Sequence, residues 1–323
     1  MSLYPRIGKY EIIERLGVGG LGEVFRARPI DDRPAPVVAL KMLREKWHRR
    51  SDLAQLFASE ADIGLHLQHP NIVRTYEIGF DERERLFLVM EYIAGRNLGE
   101  VIDKIGPHQL IAYEVSLHLV RCLLSGLHSA HELTAADGSP LELVHRDIAP
   151  DNVFVSYDGD VKLSDFGLAH LEALDGSAAN RGTFGKLPYM PPEQVRQQHI
   201  DRRADVYGCG VILYELLTGI HPFVAGEQID DATLTDRIVR GKYRRPRELL
   251  PVIPVELEAV VVKAMETDPN RRYATAQEME LALVPFYRSR AFWAPIVAGM
   301  MRHIFAQEYA QLLRAMQQHQ PTT

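Results

Sequence analysis

The sequence predicts an α+β chain built as a small β-rich lobe followed by a larger helical lobe. Short apolar runs of strand type dominate from Tyr10 to Ile93, whereas beyond Gly95 the apolar residues recur at helical spacing. The 323 residues, 46% of them hydrophobic, suffice to bury a sizeable core without disulfide staples. Cys122 and Cys209 both lie in apolar helical stretches and read as small core residues in a reducing compartment.

Taken in order, YEIIERLG from Tyr10 and EVFRAR from Glu23 flank a glycine-rich turn, VVALKML ending at Leu43 is an apolar strand, and LFLVMEYI ending at Ile93 is another. One helix interrupts them: Leu53, Leu56, Phe57, Ile63, Leu65 and Leu67 form a helical stripe that the turn His69–Asn71 stops. The stretch LVMEYIAGRN, 88–97, reads as a hinge, because its glycine permits a bend directly after a buried strand. Helices follow over 108–133 and over DVYGCGVILYELLTG, which Gly219 ends, while 134–140 is a polar surface loop. Beyond Arg290 the apolar residues Ile296, Met300, Ile304, Phe305, Tyr309 and Leu312 fall at helical spacing, to pack on their own domain or to dock a partner. The expected divisions are therefore 1–93, 94–287 and a helical extension, 288–323.

A formal charge of −6 and a pI near 6.1 give no electrostatic footprint for nucleic acid, and the basic run Lys46–Arg50 reads as a solvated helix face. The first residues lack an apolar signal core, and the most apolar late stretch, Ala294–Met301, is too short to span a bilayer. The expected location is the cytosol.

Gly17-Val18-Gly19-Gly20-Leu21-Gly22-Glu23-Val24 fits G-x-G-x-x-G-x-V, a pattern whose missing side chains let backbone N–H groups approach phosphate oxygens. A tight hairpin and a dinucleotide site share such glycines, but here they lead into a strand, whereas a dinucleotide site opens a helix. Lys41 ends an apolar strand at a spacing that suits an ammonium reaching phosphates, and Glu60 on the following helix is a natural partner to hold it. His145-Arg146-Asp147-Ile148-Ala149-Pro150-Asp151-Asn152, followed by Asp165-Phe166-Gly167, is more specific. At that spacing Asp147 can accept a hydroxyl proton, while Asn152 and Asp165 offer oxygen ligands to Mg²⁺.

With these motifs in order, the chain resembles the protein-kinase superfamily, and closely resembles bacterial eukaryotic-like (Hanks-type) serine/threonine kinases, over roughly Tyr10 to Tyr287. The resemblance implies a bilobal fold with ATP and Mg²⁺ (or Mn²⁺) between the lobes, and transfer of the γ-phosphoryl group to a protein substrate. It implies that Leu16, Gly17, Val18, Gly19, Gly20, Leu21 and Gly22 cover the nucleotide, with Val24, Ala39 and Phe154 on the adenine faces. Met90 matches the gatekeeper, and the backbone of Glu91, Tyr92 and Ile93 the adenine-bonding segment. Glu193 in Pro191-Pro192-Glu193 and Arg272 match a structural ion pair, and Asp205 matches the aspartate that bonds the catalytic-loop backbone. A homodimer through the small lobe, or a partner on the C-terminal helix, is the expected assembly, and a nucleotide-binding scaffold without catalysis is the alternative function.

The pattern departs from the family in places. Ala149 stands where a lysine is usual and Lys186 where a threonine is usual, so the Lys186 ammonium is expected to fill the space above Ala149. The loop begins like that of tyrosine kinases, but Asp151 stands where those carry arginine, which favours serine and threonine as acceptors. Ser177 and Thr183 are candidate autophosphorylation sites for a phosphate received by Arg146. Gly64 and Thr75 match an internal spine where bulkier residues are usual, and predict loose packing there.

Overall fold

Antiparallel pairing of the strand-forming runs gives one sheet, and its two faces divide the labour. The computed structural model describes residues 6–18, 22–30, 36–43, 63–135, 137–166, 187–224 and 229–318. The strands β1 (Arg6–Ile7), β2 (Tyr10–Val18), β3 (Gly22–Pro29), β4 (Val38–Leu43), β5 (Thr75–Phe80) and β6 (Leu86–Glu91) lie in the order β1-β2-β3-β4-β6-β5. Side chains alternate across a strand, so Phe25, Ala27, Leu40, Met42, Phe87 and Val89 share one face, where with Ile7, Tyr10 and Ile12 they make the small-lobe core. Register places Val24 opposite Lys41 and Ala39 opposite Met90, which puts these four on the other face.

The larger lobe is helical: α1 (Leu98–Ile105), α2 (Tyr113–His131), α3 (Arg203–Thr218), α4 (Asp231–Arg240), α5 (Val255–Ala264), α6 (Ala276–Leu283), α7 (Arg290–Ile304) and α8 (Ala306–Gln318). Helix α3 is buried almost all round and ends at Gly219 in the left-handed conformation, as its glycine predicts. The run expected to be helical from His108 becomes a helix only at Tyr113, since His108 itself has φ +62, outside the helical range. A small sheet, β7 (Gly95–Asn97), β8 (Val153–Ser156) and β9 (Val161–Leu163), joins this lobe to the hinge. Strands this short carry too few residues to show a period in sequence.

The turn His69–Asn71 does more than stop a helix. Leu163 N–H donates to Asn71 O at 2.9 Å, Val73 N–H to Leu163 O at 2.8 Å, and Asn71 Nδ2 to Val161 O at 2.8 Å, so the segment entering β5 is stitched to β9. The loose packing expected at Gly64 and Thr75 is absent: a Cβ on Gly64 would lie 2.8 Å from Thr75 Oγ1. Phe166 packs against the buried cluster of Leu67, Ile72 and Ala130.

The C-terminal helices belong to the large core, with Trp293, Val297, Met301 and Phe305 buried in it. Each such burial contributes about 1.5–3 kcal/mol. Of the expected stripe, Met300, Ile304, Phe305, Tyr309 and Leu312 lie in or against this core, while Ile296 is 41% exposed. The stripe thus packs on its own domain, the first of the two readings. Among the described residues no helix is long and apolar enough to cross a membrane.

Glu193, in the short helix Pro192–Val195, and Arg272 form a bidentate pair with both N–O distances at 2.6 Å and side-chain exposures of 5% and 0%. Arg272 also donates to the carbonyls of Glu266 and Arg203 and stacks on Tyr207. Removing one partner strands a buried charge, so Arg272→Met should lower stability by about 3–5 kcal/mol in urea denaturation. The double variant Arg272→Met with Glu193→Gln should recover part of that loss.

Candidate active site

Asp205 enters α3 with its carboxylate fully buried. Its oxygens accept the backbone N–H groups of His145 and Arg146, each at 2.8 Å, and face His131 Nε2 at 2.7 Å. Burial works to raise this carboxyl, but the hydrogen bonds from His131 and the backbone overcome it and hold Asp205 below the usual carboxylate range. Two backbone donors thus pin the loop 145–152 to a helix of the core. Arg146 is left at φ +65, a left-handed conformation that costs a non-glycine residue on the order of 1 kcal/mol and that these bonds impose.

From that anchor the loop turns into a 3-10 turn, Pro150–Asn152, whose proline suits the first position. Asn152 Nδ2 donates to Asp147 O at 2.7 Å and to Asp147 Oδ2 at 2.8 Å, which fixes the Asp147 carboxylate and turns the amide oxygen of Asn152 away from it. His145 Nδ1 accepts the Asp147 N–H at 3.3 Å, so its Nε2 carries the proton that Ser164 O accepts at 2.8 Å. Ser164 in turn donates through both N–H and Oγ to Asn152 O. The next residue, Asp165, sits at φ +62, and its Oδ1 lies 2.6 Å from Lys41 Nζ. One continuous set of bonds therefore joins Asp147, Asn152, Asp165 and Lys41.

Lys41 pairs here with Asp165, and its expected partner Glu60 lies outside the described residues, as do Gly19, Gly20, Leu21 and Lys186. Leu16 and Val18, 44% and 47% exposed, form an open lip, and Gly17 pairs with Val24 behind it. Ala149 is buried, its carbonyl accepting the Asn152 N–H. Met90 stands opposite Ala39 near the end of β6, and the chain runs on through Glu91, Tyr92 and Ile93 into the hinge, where Arg26 stacks on Tyr92.

Lys162 was not singled out by sequence, yet its ammonium reaches Glu91 Oε2 at 2.9 Å across the hinge, the same oxygen that accepts the Arg74 N–H. Phe154, paired with Lys162 across β8 and β9, shares that hinge-facing side. A signal existed in the strand VKL, where Lys162 is the polar residue between two buried aliphatic ones. His131 carried none, being one of three histidines in this helix, with His118 and His128, and nothing local sets it apart from them.

Beside the loop, Tyr189 donates its O–H to Glu215 at 2.6 Å, and its ring meets His221 edge-on. Burial pushes the Glu215 carboxyl up to about 7, against the pull of the Tyr189 hydrogen bond. Burial pushes His221 down to about 3, in keeping with a neutral ring whose Nδ1 accepts the N–H groups of Phe223 and Val224.

The two groups act on stability in opposite senses. Glu215 binds its proton more tightly folded than unfolded, so its contribution is full below the unfolded value and is lost as pH rises through about 7. For His221 the contribution is full above its unfolded value and is lost as pH falls toward about 3. Glu215→Gln keeps an acceptor for Tyr189 and cannot ionise. Between pH 5 and pH 8 it should gain stability relative to wild type by on the order of 2–3 kcal/mol, measured by urea denaturation at both values.

Comparison with known proteins gives a consistent picture. A family model described as protein kinase domain matches residues 10–283. The chain is 37% identical over 288 residues to the tyrosine-protein kinase MasK of Myxococcus xanthus, covering 88% of this chain and 44% of that protein. It is 32% identical to the serine/threonine-protein kinase PrkC of Bacillus subtilis, over 84% of this chain and 40% of that protein. It is 34% identical to the serine/threonine-protein kinase PknB of Mycolicibacterium smegmatis, over 90% and 44%. The chain thus spans less than half the length of these relatives. The fold is shared with the crystal structure of the Mycobacterium tuberculosis PknI kinase domain, with a TM-score of 0.65 at 22% identity over 88% of this chain and 99% of that one.

Proposed function

The chain belongs to the protein kinase family, and we propose that it transfers the γ-phosphoryl group of ATP, with Mg²⁺, to serine or threonine hydroxyls of a protein. The carrying observation is the bonded set Asp147–Asn152–Ser164, Asp165–Lys41, which ties two carboxylates, an amide oxygen and an ammonium into one group. The donor set fits the ion. Asn152 has its amide nitrogen engaged by Asp147, leaving its oxygen as the donor, Asp165 adds a carboxylate next to Ser164, which bonds Asn152, and Mg²⁺ takes one or two such protein oxygens and completes its shell with phosphates and water. Mn²⁺ accepts the same oxygen ligands.

In this reading the nucleotide's charge is what the bound ion neutralises, and the protein's share is positioning. Asp147 accepts the proton of the substrate hydroxyl and orients it, with its carboxylate aimed by Asn152. Lys41 holds phosphate oxygens, steadied by Asp165 and by Glu60. Val24, Ala39, Met90 and Phe154 enclose adenine, whose edge bonds the backbone of 91–93. Lys186 supplies the cation that Ala149 lacks, and Arg146 receives a phosphate placed on Ser177 or Thr183. A homodimer would use Tyr76 and Phe80, 44% and 65% exposed on the edge strand β5.

Asp147→Asn should lower turnover by about 10² to 10⁴-fold with nucleotide affinity retained, measured as ATP consumption with a generic basic protein. Equal turnover in the two would end the assignment. Phosphoamino-acid analysis of the product should give phosphoserine and phosphothreonine; dominant phosphotyrosine would move the acceptor class toward that in the name of MasK. Lys186→Ala should lower turnover by about 10²-fold, and activity close to wild type would leave Ala149 uncompensated.

A further inference from the structure

The C-terminal helices meet the backbone that directly follows the hinge. Tyr157, at the end of β8, donates its N–H to Ala94 O at 2.8 Å, so the first residue past the adenine-facing segment hangs on Tyr157. The carbonyl of Tyr157 accepts Arg302 Nε from α7 at 2.8 Å, while Arg302 also reaches Asp158 at 2.6 Å. Tyr309 of α8 packs on the Tyr157 ring at 5.1 Å and lies under the Arg302 guanidinium at 5.3 Å.

Three more contacts grip residues further along. Phe305 lies beneath both Arg96 of β7 and Lys104 of α1, each 5.8 Å from its ring, and Glu308 stands 3.7 Å from Lys104. The approach is close enough to dictate sequence. Gly159, at φ +88 in the turn after β8, touches α7 backbone to backbone, and a Cβ there would lie 2.0 Å from Ala294 O.

We propose that α7 and α8 are a positioning element of the nucleotide cleft: through Arg302, Phe305 and Tyr309 they hold residues 94–104 and the end of β8, and so set the hinge backbone to which adenine binds. The inference rests on the nucleotide reading given above. Covering a core would require only the apolar residues Trp293, Val297 and Met301; the polar grip of Arg302 on a backbone carbonyl one hydrogen bond from the hinge is additional to that.

The test compares the wild-type chain with Arg302→Met, Phe305→Ala and, as a control for general destabilisation, Leu257→Ala, a buried residue of α5 in the same core. Binding of a fluorescent ATP analogue with Mg²⁺ and amide exchange at Tyr157 are read together. Arg302→Met and Phe305→Ala should raise the Kd for nucleotide about three- to tenfold, as loss of a charge-assisted hydrogen bond or its support would. They should also speed exchange of the Tyr157 amide, with turnover at saturating ATP within about twofold of wild type and peptide KM unchanged. Leu257→Ala should lower the melting temperature without moving nucleotide Kd. If both tail variants lose stability yet bind nucleotide as wild type does, the helices only cover the core and the inference fails. If the wild-type chain itself binds no nucleotide, the reading of the cleft fails first, and this inference with it.

Discussion

The buried carboxylate of Asp205 is the constraint on which the site depends. A carboxylate taken out of water stays ionised only when donors surround it, and here the donors are the backbone of His145 and Arg146 together with His131. The same bonds that satisfy the charge therefore fix the loop. They hold Arg146 in a conformation that it would not adopt alone, and from there the direction of Asp147 follows through the amide of Asn152. Electrostatic need and loop geometry are one interaction seen from its two ends.

The lobes are joined less by the hinge than by what crosses beside it. Asn71 and Val73 bond β9 directly, and the Lys162–Glu91 pair bridges the same gap from the floor of the cleft. Both side chains of that pair are largely shielded, which limits screening by salt and lets the pair hold geometry better than a surface bridge would. Asp165 then connects this floor to the small lobe through Lys41, a contact between residues 124 positions apart. Lobe spacing is thus set where Lys41 and Asp165 meet.

Buried titratable groups away from Asp147 show how differently one environment treats acids and bases. Burial favours the neutral form of both Glu215 and His221, raising one and lowering the other. Their shared neighbour Tyr189 bonds the first and packs on the second, so the segment 187–189 rests on two groups that are neutral over different pH ranges. Neither resembles Asp205, whose net shift is downward because its donors outweigh its burial.

Much of this was legible in the residues themselves. The glycine-rich hairpin, the HRD and DFG stretches and the strand ending in Lys41 are local patterns, since backbone N–H groups, a proton acceptor and oxygen ligands must come at short fixed spacings to act together. Alternation also carried Val24, Ala39, Lys41 and Met90 onto a common face once the strands paired as expected. Tertiary structure alone decided the rest: Lys41 against Asp165, Lys162 against Glu91, His131 beneath Asp205, Gly64 closed against Thr75, and Arg302 behind Tyr157. Each is a meeting of residues far apart in the chain, chosen by how helices and sheets pack. A sequence period reports which face of an element is buried, but not which distant side chain it will find there.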